Sequence, residues 1–247
     1  MKTIGLLIML CSLTALAEPS PVENLSANYL KAAKNGGELL GIKKELLAVS
    51  LDEITQELKD DDSKKAFWLN IYNAYVFETL KRDPSIYQDR ARFFSNSAIC
   101  FRDFCVALDL IEHGILRRSQ WKFGLGYLGK WFVSNLEKRL RVAKLDFRIH
   151  FALNCGAESC PAIHYYQSPK IDAQLEKATK SFLANDIAFD DKLNKLTVSR
   201  IFLWFSGDFG GPAGIKKIVS EKLGLATNKR TEIIYKEYDW TLALRID

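Results

Sequence analysis

The chain has 247 residues, 48% hydrophobic and 26% charged, with 14 Gly and 6 Pro, proportions that exclude a disordered, collagen-like or coiled-coil protein. A chain of this size buries one sizeable core without needing a disulfide scaffold. Its 35 Lys and Arg against 30 Asp and Glu give a net charge of +5, scattered rather than gathered, so nucleic acid is not an expected partner.

Lys2, the apolar run over residues 3–15 and the small-x-small triplet Ala15-Leu16-Ala17 read as a signal peptide over residues 1–17, with cleavage before Glu18. The apolar run is too short to span a bilayer, and no later stretch reaches membrane length. The expectation is a secreted or periplasmic protein with no membrane span after cleavage, in a compartment where disulfides persist. Cys11 leaves with the signal, and Cys100, Cys105, Cys155 and Cys160 remain.

Residues 18–62 read as a charged, helical N-terminal segment, interrupted at Gly36-Gly37. Ser63 stands where it can cap a helix over residues 64–81, which Pro84 stops. That helix is apolar on most sides and is therefore buried on most sides. Asn70 and Asn73 share one of its faces, and buried amides need partners, so they are structural glue or part of a polar pocket.

Residues 98–108 read as a hairpin with Arg102-Asp103 at its tip. A two-residue turn sets Phe101 opposite Phe104 and Cys100 opposite Cys105, within disulfide range, and a bridge between these cysteines is predicted. Asp109 is placed to cap a helix over residues 111–121 that carries Glu112, His113 and Arg117. The Gly-rich aromatic stretch at 123–131 has no clear periodicity. Residues 147–154 (FRIHFALN) read as a strand leading into Cys155. An amphipathic helix at 171–185, a second hairpin around 190–195, a helix at 213–223 between Pro212 and Gly224, and a strand at 232–238 complete the chain. The fold class is α+β: one mixed domain, its buried central helix packed with antiparallel strands and hairpins. Residues 63–247 are expected to pack with 18–62 as one globular unit.

Phe67-Trp68-Leu69-Asn70-Ile71-Tyr72-Asn73-Ala74, then Ile111-Glu112-His113-Gly114-Ile115-Leu116-Arg117, then Arg148-Ile149-His150-Phe151-Ala152-Leu153-Asn154-Cys155 through Ser159-Cys160-Pro161 stand in that order. Ser199-Arg200-Ile201-Phe202-Leu203-Trp204-Phe205 with Asp208-Phe209, and Tyr238-Asp239-Trp240, complete the series. Together they resemble the family catalogued as domain of unknown function 547, from about residue 60 to the C-terminus. The resemblance implies a mixed fold and no established activity.

Cys155 beside the three histidines suggests nucleophilic catalysis, in which an imidazole activates the thiol. On a strand His150 and Cys155 fall on opposite faces, which makes His113 the better base. Glu112 points about 100° from its neighbour His113, so Asp208, Asn70 or Asn73 is as suitable a third member. Arg117 is expected to pair with Glu112 or Asp208. Against this stands a second bridge, Cys155 with Cys160, either static or redox-active. Zinc is a further alternative, on His150, Cys155, Cys160 and His164, but the spacing is irregular and the compartment oxidising. Trp68, Trp204 and Trp240 read as core. Two functions stay open. One is a disulfide-stapled envelope module whose Asn/His/Glu/Arg cluster holds its core, or an unknown small-molecule, peptide or protein partner. The other is a cysteine-dependent hydrolase or acyl transferase, with Cys155 as nucleophile and His113 or His150 as base. Neither implies a cofactor or a metal.

Overall fold

The computed structural model describes residues 18–96 and 98–244; the signal read over residues 1–17 lies outside them. Ser20 accepts the Glu23 N–H and opens α1 (Pro21–Asn35), and Gly36, left-handed at φ 75°, ends it. α2 (Leu39–Leu47) and α3 (Leu51–Glu57) follow, the latter opened by a capping box of Ser50 and Glu53.

The central helix, α4 (Asp61–Arg82), starts earlier than a Ser63 cap implies. Asp60 is the cap: its carboxylate accepts the Ser63 N–H at 2.8 Å. The acidic run is therefore the first turn, where the helix dipole favours negative charge. Phe67, Trp68, Leu69, Ile71 and Tyr72 are all buried, and α1 lies along the helix.

α5 (Arg90–Asn96) leads to a hairpin of β1 (Ala98–Cys100) and β2 (Cys105–Ala107) in the predicted register. The Phe101 N–H reaches the Phe104 carbonyl at 2.8 Å. Cys100 and Cys105 stand at disulfide distance, with Cα atoms 4.0 Å apart.

Beyond the hairpin two elements differ from their predictions. Leu110–Leu116 is a π-helical turn, not an α-helix, closed by the Arg117 N–H on the Glu112 carbonyl. Asp109 makes no cap bond, because its carboxylate holds Lys122 at 2.6 Å. Arg118 and Ser119, left-handed at φ 53° and 63°, then swing the chain into the aromatic stretch, which folds back through Trp121 N–H to Leu128 O at 2.9 Å. α6 (Asn135–Leu140) follows. Residues 147–154 are not a strand. Asp146 accepts the Arg148 N–H and Phe147–Phe151 wind as a 3-10 turn. A short apolar run reads equally as a buried strand or a buried helical turn, and the Asp146 cap decides between them.

The remainder comprises α7 (Ile171–Asp186), β3 (Ala188–Asp190), β4 (Lys195–Val198), α8 (Ile201–Trp204), α9 (Gly211–Leu223) and β5 (Glu232–Tyr235). β4 pairs antiparallel with β3 and parallel with β5, and α8 and α9 supply the crossover that a parallel pair requires. β5 is shorter than predicted, since the chain leaves the sheet after Tyr235.

Two apolar clusters result, one around α4 and one under the β3–β4–β5 sheet. The 3-10 turn joins them, with Ile149 in the first and Phe151 in the second. The whole is a single α+β domain. Among the described residues no helix is long and apolar enough to cross a membrane.

Candidate functional site

A cavity of about 420 Å³ opens at the seam of the two clusters. α4 contributes Tyr72, the π turn Glu112 and His113, and the 3-10 turn His150. The loop after it adds Cys155 and Cys160. Trp204, Phe205, Tyr238 and Trp240 form an aromatic wall, and Phe123 and Leu125 of the aromatic stretch stand at its edge. Trp68 is core as read, whereas Trp204 and Trp240 face the cavity, Trp240 at 37% exposure.

Arg117, fully buried, organises the polar floor. Its Nε donates to Asp208 Oδ2 at 2.6 Å, and a terminal nitrogen donates to Oδ1 at 3.2 Å. The other terminal nitrogen lies 2.9 Å from His113 Nδ1. A guanidinium only donates, so His113 Nδ1 accepts and its proton sits on Nε2. His150 Nε2 stands 2.8 Å from Asp208 Oδ2; the carboxylate accepts, which leaves the lone pair of His150 on Nδ1. Phe205 stacks on His150 at 4.0 Å and lies under the Arg117 guanidinium at 4.5 Å.

Each charge state has a physical cause. Burial pushes the Asp208 carboxyl up, but the hydrogen bonds from His150 and Arg117 outweigh burial and hold it below the usual range. Burial, reinforced by the Arg117 cation, keeps His113 well below the usual imidazole range. Burial also lowers His150, against the pull of Asp208. Glu112 is pushed up to about 7, chiefly by burial, with Asp109 adding to the shift and Arg117 opposing it. Tyr72 donates to it at 3.3 Å. At neutral pH the cavity thus presents a carboxyl poised between its two forms beside two neutral imidazoles.

Asp208 sits in the turn between α8 and α9, where the aromatic stretch approaches very closely. A Cβ on Gly126, left-handed at φ 80°, would stand 2.6 Å from the Asp208 backbone nitrogen, and the Gly207 N–H donates to the Leu125 carbonyl at 2.8 Å.

Cys155 and Cys160 stand at disulfide distance, with Cα atoms 6.3 Å apart. The Tyr238 hydroxyl lies 3.4 Å and 3.2 Å from their sulfurs. Because residues 147–154 are no strand, His150 and Cys155 are not held on opposite faces, and both line the cavity with His113. The carboxylates of Glu112 and Asp109 each come only to 3.8 Å of a His113 nitrogen, beyond hydrogen-bond reach. Asp208 serves His150 directly and His113 only through Arg117.

Asn70 and Asn73 do not line the cavity. Asn70 donates to the Tyr166 carbonyl at 2.9 Å and accepts the Tyr166 N–H at 2.8 Å. Asn73 donates to the Ala152 carbonyl and accepts the Asn154 N–H, each at 2.9 Å. Each amide acts as a peptide group grafted onto α4, pinning a loop segment to the helix. His164 lines a separate hollow of about 260 Å³. Among the described residues no three or more His, Cys, Asp or Glu gather to hold a metal ion.

The family whose description reads "protein of unknown function, DUF547" matches residues 55–183. The chain belongs to the DUF547 family. No curated protein and no solved structure matches it. The DUF547 match takes in α4, the π turn, the 3-10 turn and the loop of Cys155 and Cys160, but ends before Asp208, Trp204, Tyr238 and Trp240. The sequence resemblance extended to the C-terminus; the matched DUF547 span is shorter, yet the later residues fold onto the same site. Tyr72 and Tyr238 were visible in the sequence only as members of motifs, Trp240 was read as core, and Lys122 carried no signal that set it apart.

Proposed function

We propose that the protein is an exported, disulfide-stapled binding protein whose cavity takes a small molecule with a largely apolar body and one hydrogen-bonding end. The cavity carries this reading: about 420 Å³ lies within the range of small-molecule sites, and its mostly apolar, aromatic-rich lining carries a few polar groups, among them Glu112, His113 and His150. The apolar body lies between Trp204, Tyr238 and Trp240; the polar end meets Glu112, His113 and His150. Export rests on the leader pattern of residues 1–17, and two local cysteine pairs at disulfide distance suit an oxidising compartment.

Titration with N-phenyl-1-naphthylamine, an apolar fluorophore with one N–H, tests the reading. Saturable binding is expected, weakened at least about tenfold by Trp240→Ala, the loss of a large aromatic contact. Leu193→Ala, exposed and outside the cavity lining, should bind as wild type. No saturable binding, or binding indifferent to Trp240→Ala, contradicts it.

One observation favours a second reading, a cysteine-dependent hydrolase or acyl transferase: Cys155, His113 and His150 line one cavity. It requires the Cys155 thiol to be free of Cys160, and His150, whose Nδ1 lone pair is left open by the Nε2 bond to Asp208, is then a better base than His113, whose Nδ1 accepts from Arg117.

A further inference from the structure

The aromatic stretch carries more exposed apolar surface than the cavity needs. Trp131 and Phe132 are each 93% exposed, Phe123 72% and Tyr127 59%. Side chains so exposed stand clear of the body as a protrusion, which suits insertion into a soft surface better than docking into a rigid partner. The protrusion is nevertheless held in place, by Tyr127 against Ser206 at 3.0 Å and by the backbone bond between Gly207 and Leu125.

Charge identifies the surface. Contrary to the expectation of scattered charge, residues 118–141 gather six Lys or Arg against one acid, Glu137. Glu137 pairs with Lys130, Asp109 with Lys122 and Asp52 with Arg139, so an excess of positive charge remains, with Arg118 and Lys138 exposed. Trp and Tyr interleaved with Lys and Arg is the composition that settles at a lipid–water interface, where the rings enter the headgroup layer and the cations meet anionic lipid.

We infer that residues 121–132 form a peripheral docking loop for an anionic bilayer surface, with Trp131 and Phe132 as the inserting side chains. The inference is independent of what the cavity binds, although Phe123 and Leu125 place the docked surface beside the cavity mouth.

Co-sedimentation of the full chain with vesicles of phosphatidylcholine, alone or mixed with phosphatidylglycerol, tests it. Wild type should partition to the mixed vesicles and release with salt. Trp131→Ser with Phe132→Ser should cut that partitioning at least about tenfold, since two large apolar side chains are withdrawn. Because both are on the surface, thermal unfolding should be unchanged. Lys138→Gln leaves the apolar tip intact and should weaken binding about fivefold. Absence of wild-type partitioning, or a double variant that partitions as wild type, overturns the proposal. A wild-type dimer in sedimentation velocity that the double variant abolishes also overturns it, and assigns the patch to a second copy of this chain.

Discussion

Arg117 and Asp208 are both buried, and neither charge is tolerable there alone. Their double hydrogen bond makes a pair of the kind whose rupture costs far more than the pair itself contributes. Asp208→Asn should therefore destabilise the protein by about 3–5 kcal/mol in denaturant unfolding, and release His150 from its fixed tautomer. Glu112 gives the opposite signature. Its pKa rises from the usual 4.5 to about 7 on folding, so the folded state binds more protons between those values and stability falls as pH rises through that window. Glu112→Gln should remove this slope, gaining about 3 kcal/mol on wild type between about pH 4 and pH 8. An unchanged slope would show that Glu112 is ionised normally. Two other residues were legible in part from sequence: Asn70 and Asn73 were recognisable as buried amides three apart, and their partners were not, because those lie 44–96 residues away in sequence.

Among the elements, those with local signals were readable and those decided by competition were not. The first hairpin follows from its turn, and α9 from Pro212 and Gly224 at its ends. α4 was displaced at its start because Asp60 outcompetes Ser63 as the cap. The 3-10 turn and the π turn carry His150 and His113, and both were misread, since a period of 3.6 or 2 is not resolved in so few residues. The aromatic stretch showed no period because it is neither helix nor strand. Its packing against Asp208 depends on Gly126, and Gly126→Ala should cost about 1–3 kcal/mol and loosen the cavity edge, seen as weaker N-phenyl-1-naphthylamine binding. Tighter or unchanged binding would show that this contact does not shape the cavity.

At the scale of the whole molecule, the site exists only where the two apolar clusters meet. The matched family span supplies the imidazoles, Glu112 and both cysteines; the chain beyond it supplies the aromatic wall and Asp208. The α+β class and the central helix were legible from composition and pattern. The cavity was not, because it is assembled from segments as far apart as Tyr72 and Trp240. Stapling and catalysis make incompatible demands on Cys155, which either closes the loop to Cys160 or attacks a substrate. Alkylation of unreduced protein taken from its native compartment, followed by peptide mass spectrometry, separates them. The expected result is Cys155 and Cys160 joined in one bridged peptide, unmodified until reductant is added; selective alkylation of Cys155 at neutral pH with Cys160 unbridged would contradict it.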